Sequence, residues 1–526
     1  MKTTKKIILA GMACCFYASG LFAGGLLTNT NQSVHFLRNP ARGASMEIDA
    51  VYTNPAGLAK LSDDGFHLSL NNQSAFQTRT ITSTFAPFAL NGGNDTKEFK
   101  GKAEALFIPS LLAAYKTGDW VFSGSFTIAG GGGSLVFDKG LPSFEAMTLT
   151  EPTPQGSLLE NLTKLNAGAT GAGYAGPPLG YSLKMNLEGT SITYGAQLGA
   201  TYKINDMFSA FVGARANFVG NGYKGYLNNV AITNAEAVKK HFTDVAGKLG
   251  ALANGLNGMG ADLPLNVLPA ENFAMYQSVL GDAANQLKVG EAQAILNGKA
   301  DALNGAATGV TGLAAGAAVT NIEIDVKQSG IGVTPIIGFN FNYEKLNVGV
   351  KYEFATGLEI ENKTTVDGSK MFPDKYKTPY DLPALLTIGA QYDVLSCVTV
   401  SAGYHHFFDS CAKMANDKQK YINGGINEFL FGAEWRINKM FLISSGAQFT
   451  RSGVTDAYQS DLSYSLNSYA ISMGGAVNIT EALRVNLGYL FTNYEDWTVK
   501  ATPAMPIKNV FARTNQAFGI GIDYRF

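Results

Sequence analysis

The sequence predicts an all-β membrane protein, a 14-stranded antiparallel transmembrane β-barrel with a large, partly helical extracellular loop. Three observations lead to this prediction. The chain begins with the pattern of an export signal, many segments alternate apolar and polar residues, and short connections exchange with long ones between those segments.

The first 23 residues have the layout of a signal peptide. Three lysines precede an apolar run over residues 7–21, and Ala23 offers a small residue for cleavage, so we expect the mature chain to start near Gly24. Removing the three lysines changes the net charge from -1 to about -4. A lipoprotein with Cys14 as the lipidated residue is an alternative, although residues 11–13 make a poor leader for it.

Composition narrows the function classes. The 40 Lys and Arg residues balance 41 Asp and Glu residues, which gives no electrostatic case for a nucleic-acid partner. The longest uncharged stretch, residues 302–322, is mostly Ala, Gly, Thr and Asn, which transfer poorly into hydrocarbon. An exported chain without an apolar helix can still cross a membrane as a closed barrel, because closure pairs every backbone group.

Alternation is clearest at the carboxyl end. Large apolar side chains fall on one face of the last strand, at Phe518, Ile520, Ile522, Tyr524 and Phe526, and small or charged ones fall on the other. One face suits lipid and the other a wet lumen. A soluble β-sandwich would alternate in the same way, so the periodicity alone does not decide between the two.

Connection lengths favour the barrel. Fourteen strands are predicted near residues 64–80, 99–116, 120–137, 187–204, 207–225, 321–343, 345–365, 380–393, 396–409, 424–437, 440–453, 466–479, 482–498 and 513–526. Turns of one to three residues, such as 117–119, exchange strictly with long segments. Short periplasmic turns, long outer loops and an even strand count are typical of outer-membrane barrels.

A Pro-containing corner near the front of the chain is the most specific motif. Residues 39–41 read Asn-Pro-Ala, and residues 54–59 read Asn-Pro-Ala-Gly-Leu-Ala. This region resembles the amino-terminal hatch of the FadL-type outer-membrane transporters of long-chain fatty acids and other hydrophobic compounds. The resemblance implies a hatch over residues 24–62 that plugs the lumen, a barrel over residues 63–526, and Asn54, Pro55, Ala56 and Gly57 as the hatch motif. An ordinary periplasmic turn before the first strand is the alternative.

The resemblance also implies a route. Hydrophobic substrate would be captured outside, pass to a lumen site, and leave sideways into the bilayer through an opening in the wall beside the hatch. Such an opening needs a strand that bends away from its neighbour, and runs of glycine are where strands kink. Gly130, Gly131, Gly132 and Gly133 in the third strand are therefore the candidate gate. Alternatively, they begin the loop that ends near Tyr181.

Residues 226–320 form an unusually large loop insertion. Thr233 with Glu236 reads as a capping box before a helix, and a second helix is predicted from Ala270 to Leu287. In relatives, helices of the outer loops form a greasy capture groove. The candidate groove residues here are Phe242, Leu249, Leu252, Phe273 and Tyr276. Packing of these side chains on each other as a lid is the alternative.

Charged residues on inward positions supply candidates for binding an acid head group. A buried carboxylate needs a cationic partner, and Arg215, Lys351 and Arg484 are the candidate contacts. A lattice of salt bridges that braces the hatch is the alternative role for each.

The sequence does not predict an enzyme, a cofactor or a metal site. Residues 171–176 match GxGxxG by chance, since they lie in a loop and run into prolines. His405 and His406 are adjacent on a strand and point to opposite faces. Cys397 and Cys411 stand near opposite ends of one strand, so both are predicted to be free thiols.

The expected partners are a hydrophobic small molecule, outer-membrane lipids with lipopolysaccharide, and the barrel-assembly machinery, for a monomer in the outer membrane of a Gram-negative bacterium. Two other functions stay open. A general porin for hydrophilic solutes would leave residues 24–62 without a role, and an adhesin or structural barrel is supported only by the 226–320 loop.

Overall fold

The computed structural model describes residues 26–503 and 506–526, so the predicted signal peptide lies outside the described residues. Seventeen strand segments form one antiparallel sheet, and pairing of the first with the last closes it into a barrel. The segments are β1 (Gly65–Thr84), β2 (Thr96–Thr117), β3 (Trp120–Phe137), β4 (Gly180–Lys203), β5 (Phe208–Thr233), β6 (Ile322–Tyr343), β7 (Leu346–Glu353), β8 (Glu359–Asp367), β9 (Lys377–Pro379), β10 (Leu385–Leu395), β11 (Val398–Phe407), β12 (Asn427–Arg436), β13 (Phe441–Arg451), β14 (Ser468–Asn478), β15 (Leu483–Tyr494), β16 (Trp497–Val499) and β17 (Lys508–Arg525).

These segments make fourteen wall strands, which confirms the predicted architecture. β7 and β8 pair in succession with β6 and form one strand, and β9 and β10 pair with β8 and β7 to form the next. β15 and β16 likewise pair in succession with β17. Every wall strand therefore has two neighbours, and the sheet has no free edge.

The two faces of the wall differ as the alternation predicts. On the last strand, Phe518, Ile520 and Ile522 point outward and are exposed, whereas Asn515 and Ala517, on the other face, point inward and are buried. Aromatic and aliphatic side chains dominate the outer surface of the other strands too. No helix in the described part of the chain is long and apolar enough to cross a membrane.

Residues 26–61 precede β1 and lie inside the barrel. They contain α1 (Val34–Arg38), α2 (Ala50–Thr53) and a 3₁₀ segment, Pro55–Lys60, and nearly all of them are buried. Glycines in the wall let α1 approach closely: a Cβ at Gly488 would lie 2.7 Å from Leu37 Cβ, and one at Gly519 would lie 2.6 Å from Leu37 Cδ1. We call residues 26–61 the hatch.

Five helices lie in the outer loops. They are α3 (Pro142–Thr150), α4 (Leu158–Gly171), α5 (Ala235–Asn254), α6 (Ala270–Leu280) and α7 (Val289–Ala318), with short 3₁₀ segments at Ala86–Leu90, Leu265–Val267, Gly281–Asn285, Asp409–Cys411 and Ala415–Tyr421. α5 and α7 pack on each other and form a hairpin with its own apolar core. The base of the hairpin shares a second apolar cluster with the outer ends of the wall strands.

The predicted capping box is wrong. β5 ends at Thr233, which pairs with Gly180 of β4. Thr233 is therefore a strand residue of the barrel wall and not a helix cap. The helix begins at Ala235 after Asn234, which has a left-handed backbone and makes no side-chain cap. The second predicted helix ends early, at Leu280, because Gly281 has a φ of 65°. Cys397 and Cys411 are free thiols, as predicted.

Candidate functional site: the hatch and the interrupted wall

The Asn-Pro-Ala-Gly corner joins α2 to the 3₁₀ segment and is fixed to the wall. Pro55 is the first residue of that segment, where its missing N–H leaves no helical bond unmade. Asn54 Nδ2 donates to Asn340 Oδ1 of β6 at 2.8 Å. The hydroxyl of Thr201 donates to the Pro55 carbonyl, and that of Ser209 donates to the Ala56 carbonyl, both at 2.7 Å. The corner is therefore held by three wall strands.

Gly57 completes the motif for a steric reason. A Cβ at this position would lie 2.4 Å from both Asn54 Nδ2 and the Ser45 carbonyl oxygen. Asn54 Nδ2 also donates to that carbonyl at 3.0 Å, so a side chain at residue 57 would displace the amide that ties the corner to β6. The glycine is needed for the close approach.

A group of ion pairs holds the middle of the hatch. Arg42 donates to both carboxylate oxygens of the fully buried Asp49, at 2.8 and 2.7 Å. Arg484 of β15 donates to Glu47 Oε1 at 2.6 Å. Burial opposes ionisation of Glu47, but Arg484 and Arg42 outweigh it and hold the pKa of that carboxyl well below its ordinary value. Arg484 is thus a hatch-to-wall contact.

The other two predicted head-group contacts, Arg215 and Lys351, also lie where the wall meets the hatch. Arg215 and Lys351 both bind the carboxylate of the buried Glu353, with Lys351 Nζ at 2.7 Å from Glu353 Oε1. Lys351 Nζ also donates to the Tyr52 carbonyl oxygen of the hatch at 2.7 Å. The Tyr52 ring lies 5.3 Å from the Arg215 guanidinium carbon and 4.7 Å from Lys351 Nζ. These contacts match the alternative role predicted for both residues, in which salt bridges brace the hatch against the wall.

One group of described residues has the spacing of metal ligands, namely His35, Glu47 and Asp49, whose ligand atoms lie within 4.8 Å of one another. Both carboxylates in it already bind guanidinium groups, Asp49 through Arg42 and Glu47 through Arg42 and Arg484. A divalent cation would have to share the carboxylates with these positive charges. We therefore assign the group to the ion-pair network.

The wall is interrupted between β2 and β3. The ladder stops at Glu104, opposite Ser134, and resumes at Leu111, opposite Phe126. Gly131 and Gly132 lie in this interval with φ angles of 67° and 131°. β3 stays paired with β4 across two bulges, so the break is one-sided. A stretch of β2 and a stretch of β3 therefore face each other without backbone pairing.

The start of the hatch covers this break from inside. The Asn29 N–H donates to the Ala129 carbonyl oxygen at 2.8 Å, and Asn29 Nδ2 donates to that of Gly131 at 3.0 Å. Gln32 Nε2 donates to the Ile128 carbonyl oxygen at 3.0 Å. Carbonyl groups that β2 does not pair are thus satisfied by the hatch. We call residues 26–32 the cover segment.

The lipid side of the break is apolar. Leu106 and Phe107 of β2 point outward and are 66% and 72% exposed. On the inner side, Ala103, Ile108 and Ile128 join an apolar cluster with Phe36 of α1. Apolar side chains thus lie on both the inner and the outer side of the break.

The outer end of the cover segment lies beside Asp409, in the loop between β11 and β12. The buried carboxylate accepts a hydrogen bond from the N–H group of Ile426, at 3.1 Å to Oδ2, and the nearby N–H group of Leu26 favours its ionised form. Burial is the largest influence on this group and raises its pKa to about 6.

A pair of arginines above the hatch was missed at the sequence level. Arg79 of β1 and Arg513 of β17 are directly opposite each other and point into the lumen. Extending the alternation of the last strand back to residue 513, and testing the first strand in the same way, would have placed both on the lumen face.

The side chains of the predicted capture-groove residues are packed in the apolar interior between the helices of the outer loops. Phe242, Leu249 and Tyr276 are buried, and Leu252 and Phe273 pack against the core of the α5–α7 hairpin. Capture by these side chains stays a prediction that requires the hairpin to open.

No protein-family model matches the sequence, and no curated protein matches it. Many solved structures are similar in three dimensions, including the following two. A Pseudomonas aeruginosa FadL homologue aligns with a TM-score of 0.57 and 12% identity, over 96% of this chain and all of the other. The Pseudomonas putida toluene transporter TodX aligns with a TM-score of 0.50 and 12% identity, over 96% of this chain and all of the other.

This chain has the FadL-type fold. The likeness spans 96% of the chain. At this identity it concerns architecture, and the roles of individual side chains in this FadL-type barrel have to be argued from their own contacts.

Proposed function

We propose that this protein carries long-chain fatty acids or other hydrophobic compounds across the outer membrane of a Gram-negative bacterium. It works as a monomer among outer-membrane lipids and lipopolysaccharide, after insertion by the barrel-assembly machinery. The apolar outer surface and the FadL-type fold support the location, and the two similar structures, a FadL homologue and a toluene transporter, support a hydrophobic cargo.

The observation that carries the proposal is the break between β2 and β3 with the cover segment across it. A hydrophobic molecule gains nothing by entering the aqueous periplasm, whereas the bilayer lies directly beyond Leu106 and Phe107. Release through the break keeps the cargo out of water. The cargo is captured at the outer loops, held in the lumen, and released sideways.

The contacts of the hatch suggest which part of it moves. Residues 38–57 are joined to the wall by ion pairs and by the fixed Asn-Pro-Ala-Gly corner. The cover segment is held by uncharged hydrogen bonds. Separating a buried ion pair leaves an uncompensated charge and costs more than breaking a neutral hydrogen bond, so the cover segment is the part that is displaced as the cargo passes.

A general porin is a weaker proposal because residues 26–61 fill the lumen that hydrophilic solutes would need. A surface adhesin would use the α5–α7 hairpin, whose tip exposes Leu263 and Val267.

Uptake by Gram-negative cells that lack their own carrier tests the proposal. Cells expressing the intact chain should take up a labelled long-chain fatty acid, labelled toluene, or both, faster than empty cells, and vesicles holding the protein should retain small sugars. Surface-assembled protein that gives uptake of neither cargo would contradict the proposal. Sugar leakage would point to a porin, and loss of host-cell binding on deletion of residues 235–318, with uptake unchanged, would point to an adhesin.

A further inference from the structure

Two polar residues interrupt the lipid-facing side of β1. Asn72 and Ser74 are directly opposite Ile520 and Phe518 of β17, which point outward and are exposed. Hydrocarbon offers no hydrogen bonds, so a polar side chain on this face is costly unless the protein itself supplies its partner. The hydrogen-bond partners of these two side chains lie in one short stretch of β2.

That stretch of β2 is a β-bulge. The β1–β2 ladder shifts register between residues 73 and 75, so that Leu106 and Phe107 of β2 together face the single residue Ser74. An extra residue of this kind bends a strand away from its regular course. Both side chains point to lipid, and Pro109 follows closely, a residue that strands accept mainly at bulges and edges. β2 has no pairing with β3 here, so the bulge forms one edge of the break.

Asn72 and Ser74 bind the backbone of the bulge. The Ser74 hydroxyl donates to the Leu106 carbonyl oxygen at 2.8 Å, and the Ile108 N–H donates to Asn72 Oδ1 at 3.0 Å. Asn72 Nδ2 donates to the same Leu106 carbonyl oxygen at 3.4 Å. Side chains of β1 thus take the place of ladder bonds at the bulge, from the side of the wall that faces lipid. We call Asn72 and Ser74 the β1 clip.

The two edges of the break are therefore held by different parts of the protein. On β3, the carbonyl oxygens of Ile128, Ala129 and Gly131 accept hydrogen bonds from the cover segment, inside the lumen. On β2, the bulge is bound by the β1 clip, which joins two strands of the wall and makes no contact with the hatch through these bonds. Displacement of the cover segment thus frees the β3 edge and leaves the β2 edge in place.

We propose that Asn72 and Ser74 are positioning residues that keep β2 apart from β3 and so set the width of the opening. This inference rests on the proposed lateral release and deepens it. Without the β1 clip, the Leu106 carbonyl and the Ile108 N–H would lack these partners beside hydrocarbon, and pairing with β3 across the break is the nearest way to satisfy them. Such pairing narrows the opening. The role requires no contact with the cargo, so capture of the cargo does not depend on the β1 clip.

The concentration dependence of uptake tests the β1 clip, in cells that carry equal amounts of surface protein. Asn72→Ala with Ser74→Ala should lower the maximal rate of labelled fatty acid uptake roughly tenfold, through the loss of neutral hydrogen bonds, and leave the half-saturating concentration unchanged. Ser74→Thr keeps the hydroxyl and should keep most of the rate. Ser445→Ala is the matched control, because the Ser445 hydroxyl also donates to a carbonyl oxygen of the next strand, that of Ser472 at 2.8 Å, but in the regular β13–β14 ladder.

A distance measurement in lipid vesicles tests the width itself. Spin labels on Phe107→Cys of β2 and Tyr194→Cys of β4 occupy exposed outward positions on either side of the break, in a background with Cys397→Ser and Cys411→Ser. Residue 194 is opposite residue 128 and so follows the position of β3. The double alanine variant should shorten the distance between the labels, as β2 and β3 approach the spacing of about 4.8 Å that paired strands have. Ser445→Ala should leave the distance unchanged.

The outcomes separate this inference from the transport function. An unchanged distance or an unchanged maximal rate in the double alanine variant would overturn the positioning role. A raised half-saturating concentration would also overturn it, because it would place the two side chains in contact with the cargo. Wild-type protein that gives no uptake would instead count against transport, and the label distance would still decide whether the β1 clip holds β2 apart from β3.

Discussion

The Ala129 carbonyl oxygen of β3 accepts its hydrogen bond from the Asn29 N–H of the hatch, at 2.8 Å, instead of from the neighbouring strand β2. One wall strand is therefore completed by a segment that is not part of the wall. A barrel wall must satisfy its backbone groups within the protein, and removal of the cover segment would leave these carbonyl groups of β3 without their donors.

Asn29→Ala removes the amide that donates to the Gly131 carbonyl oxygen and leaves that buried acceptor without this donor. We expect the free energy needed to open the cover segment to fall by roughly 1–3 kcal/mol. Amide hydrogen exchange over residues 26–32 should therefore become faster. Asn161→Ala removes an amide that also donates to backbone carbonyls, but in α4, and should leave that exchange unchanged. Equal exchange in wild type and Asn29→Ala would contradict the cover role.

Gly131→Ala tests the kink. The residue has a φ of 67°, and a Cβ there would lie 2.1 Å from the Ser191 carbonyl oxygen, so the substitution forces β3 to shift at the break. We expect at least a tenfold fall in uptake of labelled fatty acid by cells with equal surface protein. Gly118→Ala is the control, because Gly118 also has a positive φ, 57°, but a Cβ there meets nothing within 4 Å. Similar uptake by both variants would argue against a special role of the kink.

Arg42→Gln tests the anchored part of the hatch. It leaves Asp49 ionised and buried without its bidentate partner, which should lower the free energy of unfolding by roughly 3–5 kcal/mol. Adding Asp49→Asn to Arg42→Gln should restore much of the lost free energy of unfolding, because the buried carboxylate is then replaced by a neutral amide. Arg451→Gln breaks a half-exposed pair with Glu495 and should cost at most about 1 kcal/mol. The midpoints of urea unfolding in lipid vesicles measure the stability of these three variants. Equal losses of stability for Arg42→Gln and Arg451→Gln would refute the anchoring role of Arg42.

The carboxyl group of Asp409 predicts a pH dependence. Burial raises its pKa in the folded protein to about 6, above the unfolded value of about 3.9. Between these values the folded state binds a proton that the unfolded state does not, so this group's contribution to stability rises as the pH falls from 7 to 5. Relative to Asp409→Asn, which does not titrate, the wild type should therefore gain stability over that range. A constant difference between the two proteins from pH 7 to pH 5 would contradict the prediction.

Much of the wall was predictable from the sequence because a barrel strand exposes one face to lipid and the other to the lumen. That alternation identified fourteen strands, and Phe518 and Ile520 point outward as expected. The outer helices were harder. α7 is rich in Ala and Gly and has no strong apolar stripe. The sequence around Thr233 is typical of a helix cap, but this residue pairs with Gly180 in the barrel wall.

The position of the break in the wall could be anticipated from the sequence, whereas the partners of the charged residues could not. A glycine run indicates where a strand can bend, and Gly131 and Gly132 do adopt the angles that need glycine. Which cation binds a ligand and which braces the hatch depends on contacts between residues far apart in sequence. Glu353 forms ion pairs with both Arg215 and Lys351, and Glu47 of the hatch binds Arg484, 437 positions away. No local pattern reports those pairings.

Fixing the cover segment to the wall tests lateral release most directly. Asn31 Nδ2 donates to Gln73 Oε1 at 2.8 Å, so Asn31→Cys with Gln73→Cys, in a background with Cys397→Ser and Cys411→Ser, allows a short cleavable thiol crosslink beside the break. Gln328→Cys with Asn362→Cys replaces an amide pair of the same 2.8 Å separation between β6 and β8 and is the matched control. We predict that crosslinking abolishes uptake of labelled fatty acid in the first variant, that cleaving the crosslink restores it, and that the control transports throughout. Full uptake with the cover segment crosslinked would contradict release between β2 and β3.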